Sequence, residues 1–151
     1  MTDLKGRLKS DLTVAMKGRD ELTTATLRML LTAVTNEEVA GSTARSLSDD
    51  EVLRVINREA KKRREAAEAF AGGGRAAQAQ RERDEEKVLV RYLPRQLTDD
   101  ELTELVRTGI AESGATEQRQ MGLVMKTITP RTTGRADGKR VSDEVRRQLS
   151  R

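Results

Sequence analysis

Two stretches of this chain spell the start of an α-helix in the same way. Leu47-Ser48-Asp49-Asp50-Glu51-Val52 and Leu97-Thr98-Asp99-Asp100-Glu101-Leu102 each place a hydroxyl residue three positions ahead of a glutamate, with an apolar residue on either side. In that pattern the hydroxyl accepts the amide of the glutamate, the carboxylate accepts the amide of the hydroxyl residue, and the flanking apolar pair staples the entry of the chain. Acids in a first turn also face the positive end of the macrodipole, so Asp49, Asp50, Glu51, Asp99, Asp100 and Glu101 are explained without a metal ion. Starts this explicit, in a sequence with no β-type alternation anywhere, predict an all-α fold.

Apolar spacings of three and four mark the remaining helices. Leu4, Leu8, Leu12, Ala15 and Met16 form one stripe, with Thr2 or Asp3 available as cap and Gly18 closing the helix. Asp20 starts the next, whose face is Leu27, Leu30, Leu31 and Val34 and whose end lies near Gly41, followed by a polar connector to Leu47. The third turns Val52, Val55, Ile56, Ala60, Ala67 and Phe70 inward and ends at Gly72-Gly73-Gly74. Its other face carries Arg58, Lys61, Lys62, Arg63 and Arg64, a run that reads as a solvated face with Glu59, Glu65 and Glu68 within pairing distance, or else as a nucleic-acid or partner contact. A fourth helix spans Arg75 to Arg91, polar at first and apolar only from Val88, Leu89 and Tyr92. Pro94 stops it. A boundary at about 93–96 then predicts a four-helix bundle-like domain over 1–93 and a small three-helix domain over 94–151. In the second, Leu102, Leu105, Val106 and Ile110 form a helix closed by Gly114, and Thr116 can cap the next.

The least ordinary stretch runs from Met121 to Arg140. Met121, Val124, Met125 and Ile128 share one helical face. Gly122 interrupts it. A helical glycine costs roughly 1 kcal/mol against alanine, which points either to a neighbour close above its bare Cα or to a tolerated glycine with none. Pro130 biases Thr129 away from helical dihedrals and predicts the helix end there. Gly134-Arg135-Ala136-Asp137-Gly138-Lys139-Arg140 reads as a tight turn with three cations, its glycines allowing positive φ. Val141, Val145 and Leu149 are spaced by four, which favours Asp137 over Ser142 as N-cap of a last helix beginning Gly138-Lys139-Arg140. Cations in a first turn oppose the macrodipole, so free amides there make a place for a phosphate; the alternative is a solvated loop that only joins two helices.

Charge is unevenly spread along the chain. Residues 119–151 hold nine Lys and Arg against three acids, a balance of +6, while the rest sums to −2. Such an asymmetry is a footprint of a polyanion partner, or a solubilising surface. Tyr92 and Phe70 are the only aromatics, both at helical apolar positions, so a nucleic acid would be read through phosphate and shape and not by stacking. There is no cysteine and no histidine. That removes thiolate metal sites, Ser-His and Cys-His dyads and the commonest metal ligand, and neither cofactor nor metal is expected. Gly72-Gly73-Gly74-Arg75 lacks the phosphate-loop lysine and follows a helix, so it is a linker. No signal-peptide core opens the sequence and no apolar stretch approaches roughly 18 residues, which sets a cytoplasmic protein without a membrane partner as the expectation.

Met121-Gly122 with Val124-Met125, followed by Gly134-Arg135-Ala136-Asp137-Gly138-Lys139, resembles the C-terminal signature of the GatB/YqeY family, and the similarity extends to Arg28-Met29-Leu30 and Tyr92-Leu93-Pro94-Arg95-Gln96-Leu97. That family comprises stand-alone YqeY-like proteins and the tail domain of the GatB subunit of glutamine-dependent aminoacyl-tRNA amidotransferases. With 151 residues and no kinase-like or amidase-like portion, the chain looks like the stand-alone form. The resemblance implies a non-catalytic module in translation, since the GatB tail helps recognise tRNA while the chemistry resides in other domains. It implies Arg135, Lys139 and Arg140 as phosphate contacts, with Arg131 and Lys126 beside them, and Met121, Gly122, Met125, Gly134 and Gly138 as a packing or partner face. The family label is carbon-nitrogen ligation with glutamine as amide donor. Without a Cys or His nucleophile-base pair the chain is not expected to perform that alone. The expected partner is tRNA, with amidotransferase or aminoacyl-tRNA synthetase components next; the rival is a regulatory module that binds protein through the Met121 to Ile128 face.

Overall fold

A computed structural model describes residues 3–150. Among them are seven α-helices, a short 3-10 turn and no strand: α1 (Leu4–Lys17), α2 (Glu21–Glu38), α3 (Asp49–Gly72), α4 (Ala76–Val90), α5 (Asp99–Ser113), the 3-10 turn Gln118–Gln120, α6 (Met121–Thr132) and α7 (Gly138–Leu149). None of these helices is long and apolar enough to cross a membrane. The chain divides into two compact units, Met1–Leu93 and Pro94–Arg151.

Both doubled helix starts close as full capping boxes, Ser48 with Glu51 and Thr98 with Glu101, and the stapling residues Leu47, Val52, Leu97 and Leu102 are all buried. Asp3 caps α1 by accepting the Gly6 amide at 2.7 Å; Thr2, the other candidate, lies outside the described residues. Asp20 caps α2. Gly18 does close α1, but with φ −81, and it is Arg19 that takes the left-handed conformation at φ 54. α2 stops at Glu38, short of Gly41, and the Glu38 carboxylate then accepts from Lys5 at 2.7 Å and from the Leu47 amide at 3.2 Å.

In the first unit the core is Leu8, Leu27, Leu30, Val34, Leu47, Val52, Val55, Ile56, Ala60, Val88 and Leu89, aliphatic throughout. Met16 leaves its expected stripe and is 48% exposed, and Phe70 is only half-buried. The basic run on α3 is neither a plain solvated face nor a free one. Arg63 is largely buried and lies 3.2 Å from Glu85, 3.7 Å from Glu59 and 3.8 Å from Glu82, while Arg64 pairs with Glu86 and Arg58 with Glu37. Of the expected acids Glu59 takes part; Glu37 comes from α2, and Glu82, Glu85 and Glu86 from α4, whose polar face is therefore an interface and also buries Ala79. Arg63 Nε and Glu82 Oε2 are buried without a hydrogen bond. Burial, with Glu85 beside it, pushes the Glu82 carboxyl above its usual range.

In the second unit Leu97, Leu102, Val106, Ala115, Val124, Ile128, Ala136, Val141, Val145 and Leu149 make the core. Two expectations change here, and an open alternative at Gly122 is decided. Thr116 does not cap α6; its amide donates at 2.7 Å to Oε1 of Gln120, and the chain enters α6 through the 3-10 turn. Pro130 does not end α6, which runs on to Thr132. Buried Ile128 and Thr132 hold the last turn against the core, the Thr133 amide closes on the Thr129 carbonyl at 3.1 Å, and the carbonyl of Lys126 that Pro130 leaves without a donor is on an exposed residue. Gly122 has nothing within 4 Å of a Cβ placed on it, so among the described residues no backbone approaches it. The close approach is at Gly109 of α5, where a Cβ would stand 2.1 Å from Cγ2 of Ile128.

Candidate nucleic-acid interface

Two stretches of the second unit that are remote in sequence meet at the basic turn. After α6 the backbone folds back through the Arg135 amide donating to the Thr132 carbonyl at 2.8 Å, with Gly134 buried at φ 75, a left-handed conformation that glycine adopts without strain. The carbonyls this exposes are taken by the segment that precedes α5. The Leu97 amide donates to Arg135 O at 2.8 Å, Gln96 Nε2 donates to Gly134 O at 2.7 Å, and Arg135 Nε donates to Arg95 O at 3.2 Å. Ala136 follows into the core beside Leu97. Spacing marks Leu97 as a staple of the α5 capping box but gives neither it nor Gln96 a part in the basic turn.

Asp137 is the N-cap of α7, accepting from the Lys139 amide at 3.1 Å and the Arg140 amide at 3.2 Å. Those amides are consequently not free for a phosphate, because the cap carboxylate already occupies the end of the helix. Gly138 opens α7 as an exposed first-turn residue and, unlike Gly134, does not have positive φ. Lys139 Nζ pairs with Asp143 at 2.7 Å, which raises the ammonium pKa and lowers that of the carboxyl. Arg140 reaches across to Asp99 of the α5 first turn at 2.8 Å, and Arg131 pairs with Glu112 at 2.6 Å. Lys126 is exposed on α6. Arg95 holds both oxygens of Glu101, at 2.9 and 2.7 Å, and with the Thr98 amide keeps that carboxyl at about 2.

An open cleft of about 560 Å³ lies beside the turn, floored by Leu97 and Leu105, with Arg131 and Arg135 facing Asp100, Glu101 and Glu104 of α5. The fold thus sets anions against the cation-rich tail. Residues 94–118 carry two cations and six acids, so the second unit as a whole holds eleven cations against nine acids. Of the expected packing or partner face, Met121 and Met125 pack on the core with buried Val124 and Ile128, leaving Gly122 and Leu123 as its exposed neighbours. The Met121 to Ile128 face thus packs within the unit, with Val124 and Ile128 buried and Met121 and Met125 partly so. Among the described residues no group of acids could hold a metal ion.

No curated protein matches the chain. The model of a family described as Yqey-like protein matches it over residues 5–149.

Proposed function

This chain belongs to the YqeY-like family, and from that membership we propose that it is a non-catalytic helical module that binds tRNA through phosphate and assists a tRNA-dependent amidotransferase in the cytoplasm. In this reading residues 1–93 form a four-helix bundle-like domain and residues 94–151 a three-helix domain that makes the RNA contact. Absence of Cys and His from the whole sequence leaves amide transfer to a partner enzyme.

The observation that carries the reading is the preorganised turn. Arg131, Arg135, Lys139 and Arg140 stand on backbone that Gly134, Leu97 and Asp137 fix in place, so few degrees of freedom remain to be ordered on binding. Their present partners do not block them. The Lys139–Asp143 and Arg131–Glu112 pairs are well exposed, and such pairs contribute about 0 to 1 kcal/mol, which a phosphate can replace. With α5 offsetting the basic tail, affinity should be modest and strongly salt-dependent.

Replacing Arg135, Lys139 and Arg140 together with Ala should flatten the slope of log affinity for tRNA against log salt by roughly two to three units, since each lost contact releases about one counterion fewer. Circular dichroism should be unchanged. Reversing Arg58, Lys61, Lys62 and Arg64, with the largely buried Arg63 left in place, should matter less to the slope. An unchanged slope in a folded triple variant would reduce the turn to a connector.

A further inference from the structure

The groove around the α1–α2 turn is separate from the basic site. It has a volume of about 420 Å³ and is lined by Met16, Arg19, Glu21, Thr24, Ala25 and Arg28. The last four are spaced i, i+3, i+4 and i+7 and make a single stripe along α2. Its lining is mostly apolar, with exposed Met16 at one side and, in Thr24 and Ala25, side chains short enough for another helix to come close. Glu21 is the one carboxylate present, and Arg81 takes both of its oxygens, at 2.8 and 3.0 Å. Arg28 rests a guanidinium nitrogen 3.7 Å from the Met16 sulfur, and neither it nor Arg19 has a carboxylate partner among the described residues. Arg45, Arg58, Arg63, Arg64 and Arg81 of the same unit are paired, whereas Arg54, Arg75, Arg83 and Arg91 share the lack of a carboxylate partner among the described residues; what distinguishes Arg19 and Arg28 is that both line the groove. Arg19 also holds a left-handed φ of 54 that costs a side chain energy, next to a glycine that does not use it. Arg28 and Met29 are exposed and do not serve the core as Leu30 does.

We propose that this groove docks an acidic amphipathic helix of a protein partner. Laid along the Glu21, Thr24, Ala25 and Arg28 stripe, such a helix seats apolar side chains on Met16 and Ala25 and meets Arg19 and Arg28 with its carboxylates, the mode in which anchors at i, i+3, i+4 and i+7 fill a groove. Charge selects the partner: with Glu21 neutralised by Arg81, the groove presents two unopposed cations. Shape narrows it further. A groove open along one side leaves a small molecule largely in water, whereas small-molecule pockets bury about 70 to 90% of their ligand, and a phosphate backbone would engage Arg19 and Arg28 but leave the apolar floor uncovered. The surface lies within the first unit, so it stands or falls independently of the tRNA reading.

The test is to pan a display library of short peptides against the full-length chain and to synthesise the most enriched sequence. The expected result is a peptide with Asp or Glu and Leu, Ile or Met at helical spacing. It should lose about tenfold or more in affinity for Ala25→Gln, which fills the groove with a neutral side chain, and about two- to fivefold for Arg19→Gly and for Arg28→Gln. Arg19→Gly carries the most weight, because glycine relieves the positive φ and the melting temperature should not fall, so weaker binding cannot be laid to unfolding. Failure to enrich, enriched peptides that are basic or lack helical spacing, equal binding by Arg19→Gly, or displacement of the peptide by an RNA hairpin would each overturn the proposal.

Discussion

Gly109→Ala should destabilise the second unit even though it puts a better helix former into the middle of α5. On propensity alone the change is favourable by roughly 1 kcal/mol. Against it, the new Cβ would stand 2.1 Å from Cγ2 of Ile128 and 3.7 Å from its Cβ. Cγ2 is bonded to the branch point of a β-branched side chain that is fully buried, so it cannot swing away without an off-rotamer χ1 or a shift of α6. Overpacking of that kind costs typically 1 to 3 kcal/mol, and a clash this deep belongs at the upper end, which leaves a net loss of about 1 to 2 kcal/mol. In an Ile128→Leu background the branch methyl is gone while the volume is nearly kept, so Gly109→Ala should there be neutral or favourable, giving a coupling of the order of 1 to 2 kcal/mol in a double-mutant cycle. Gly122→Ala, with nothing within 4 Å, serves as the control and should gain roughly 0.5 to 1 kcal/mol. Urea denaturation followed by circular dichroism measures all of these. A stabilised Gly109→Ala in the wild-type background, or equal effects in both backgrounds, would refute the close packing of α5 on α6.

Glu82→Gln should raise the melting temperature at pH 7: burial beside Glu85 raises the folded pKa, so the charged form is a liability that wild type sheds as pH falls, and the gap between the two proteins should close through the carboxyl range. Glu101→Gln should do the opposite. Its carboxyl is held at about 2 by Arg95 and the Thr98 amide, so its contribution is present above the unfolded value near 4.5 and lost on the way down to pH 2, where melting curves of variant and wild type should converge. Leu30→Ala should cost about 2 to 5 kcal/mol, and a fragment of residues 1–93 should remain helical and melt cooperatively; loss of helicity in that fragment would mean that its core is completed by the rest of the chain.

What sequence made legible here is what neighbours in sequence decide. The capping boxes at Ser48 and Thr98 and the Asp137 cap are contacts over two or three residues, and they form as their spacing dictates. Glycine was harder. Gly122 attracted attention by interrupting an apolar stripe, yet the glycine under pressure is Gly109, which continues the stripe of Leu102 and Val106 at i+7 and i+3 and could have been noticed there. Which glycine meets another helix depends on tertiary packing. Pro130 shows the same limit, since a pre-proline bias is a local preference that buried Ile128 and Thr132 outweigh. Charge shows a related limit: a tail of net +6 gives no sign that α5 folds against it and that Asp99 and Glu112 pair with Arg140 and Arg131. Of the candidate site, the cations and the turn were visible, but the pinning of Gly134 and Arg135 by Gln96 and Leu97 was not, because it joins residues 38 apart.

That long-range pinning also orders events in time. The segment ahead of α5 can complete its native hydrogen bonds only when Gly134 and Arg135 exist to accept them, so during synthesis the second unit must wait for nearly all of its own residues, while the first unit has its buried core residues once Leu89 has been made and the packing of Tyr92 and Leu93 soon after. Closing so long a loop late is entropically expensive and is rewarded only when the turn, α5 and α7 come together at once. A nascent chain would therefore pass through a stage in which one half is folded and the other still exposes Leu97, Leu102 and Val106 to chaperones and proteases. Slow translation or a premature stop upstream of Gly134 should strand it there.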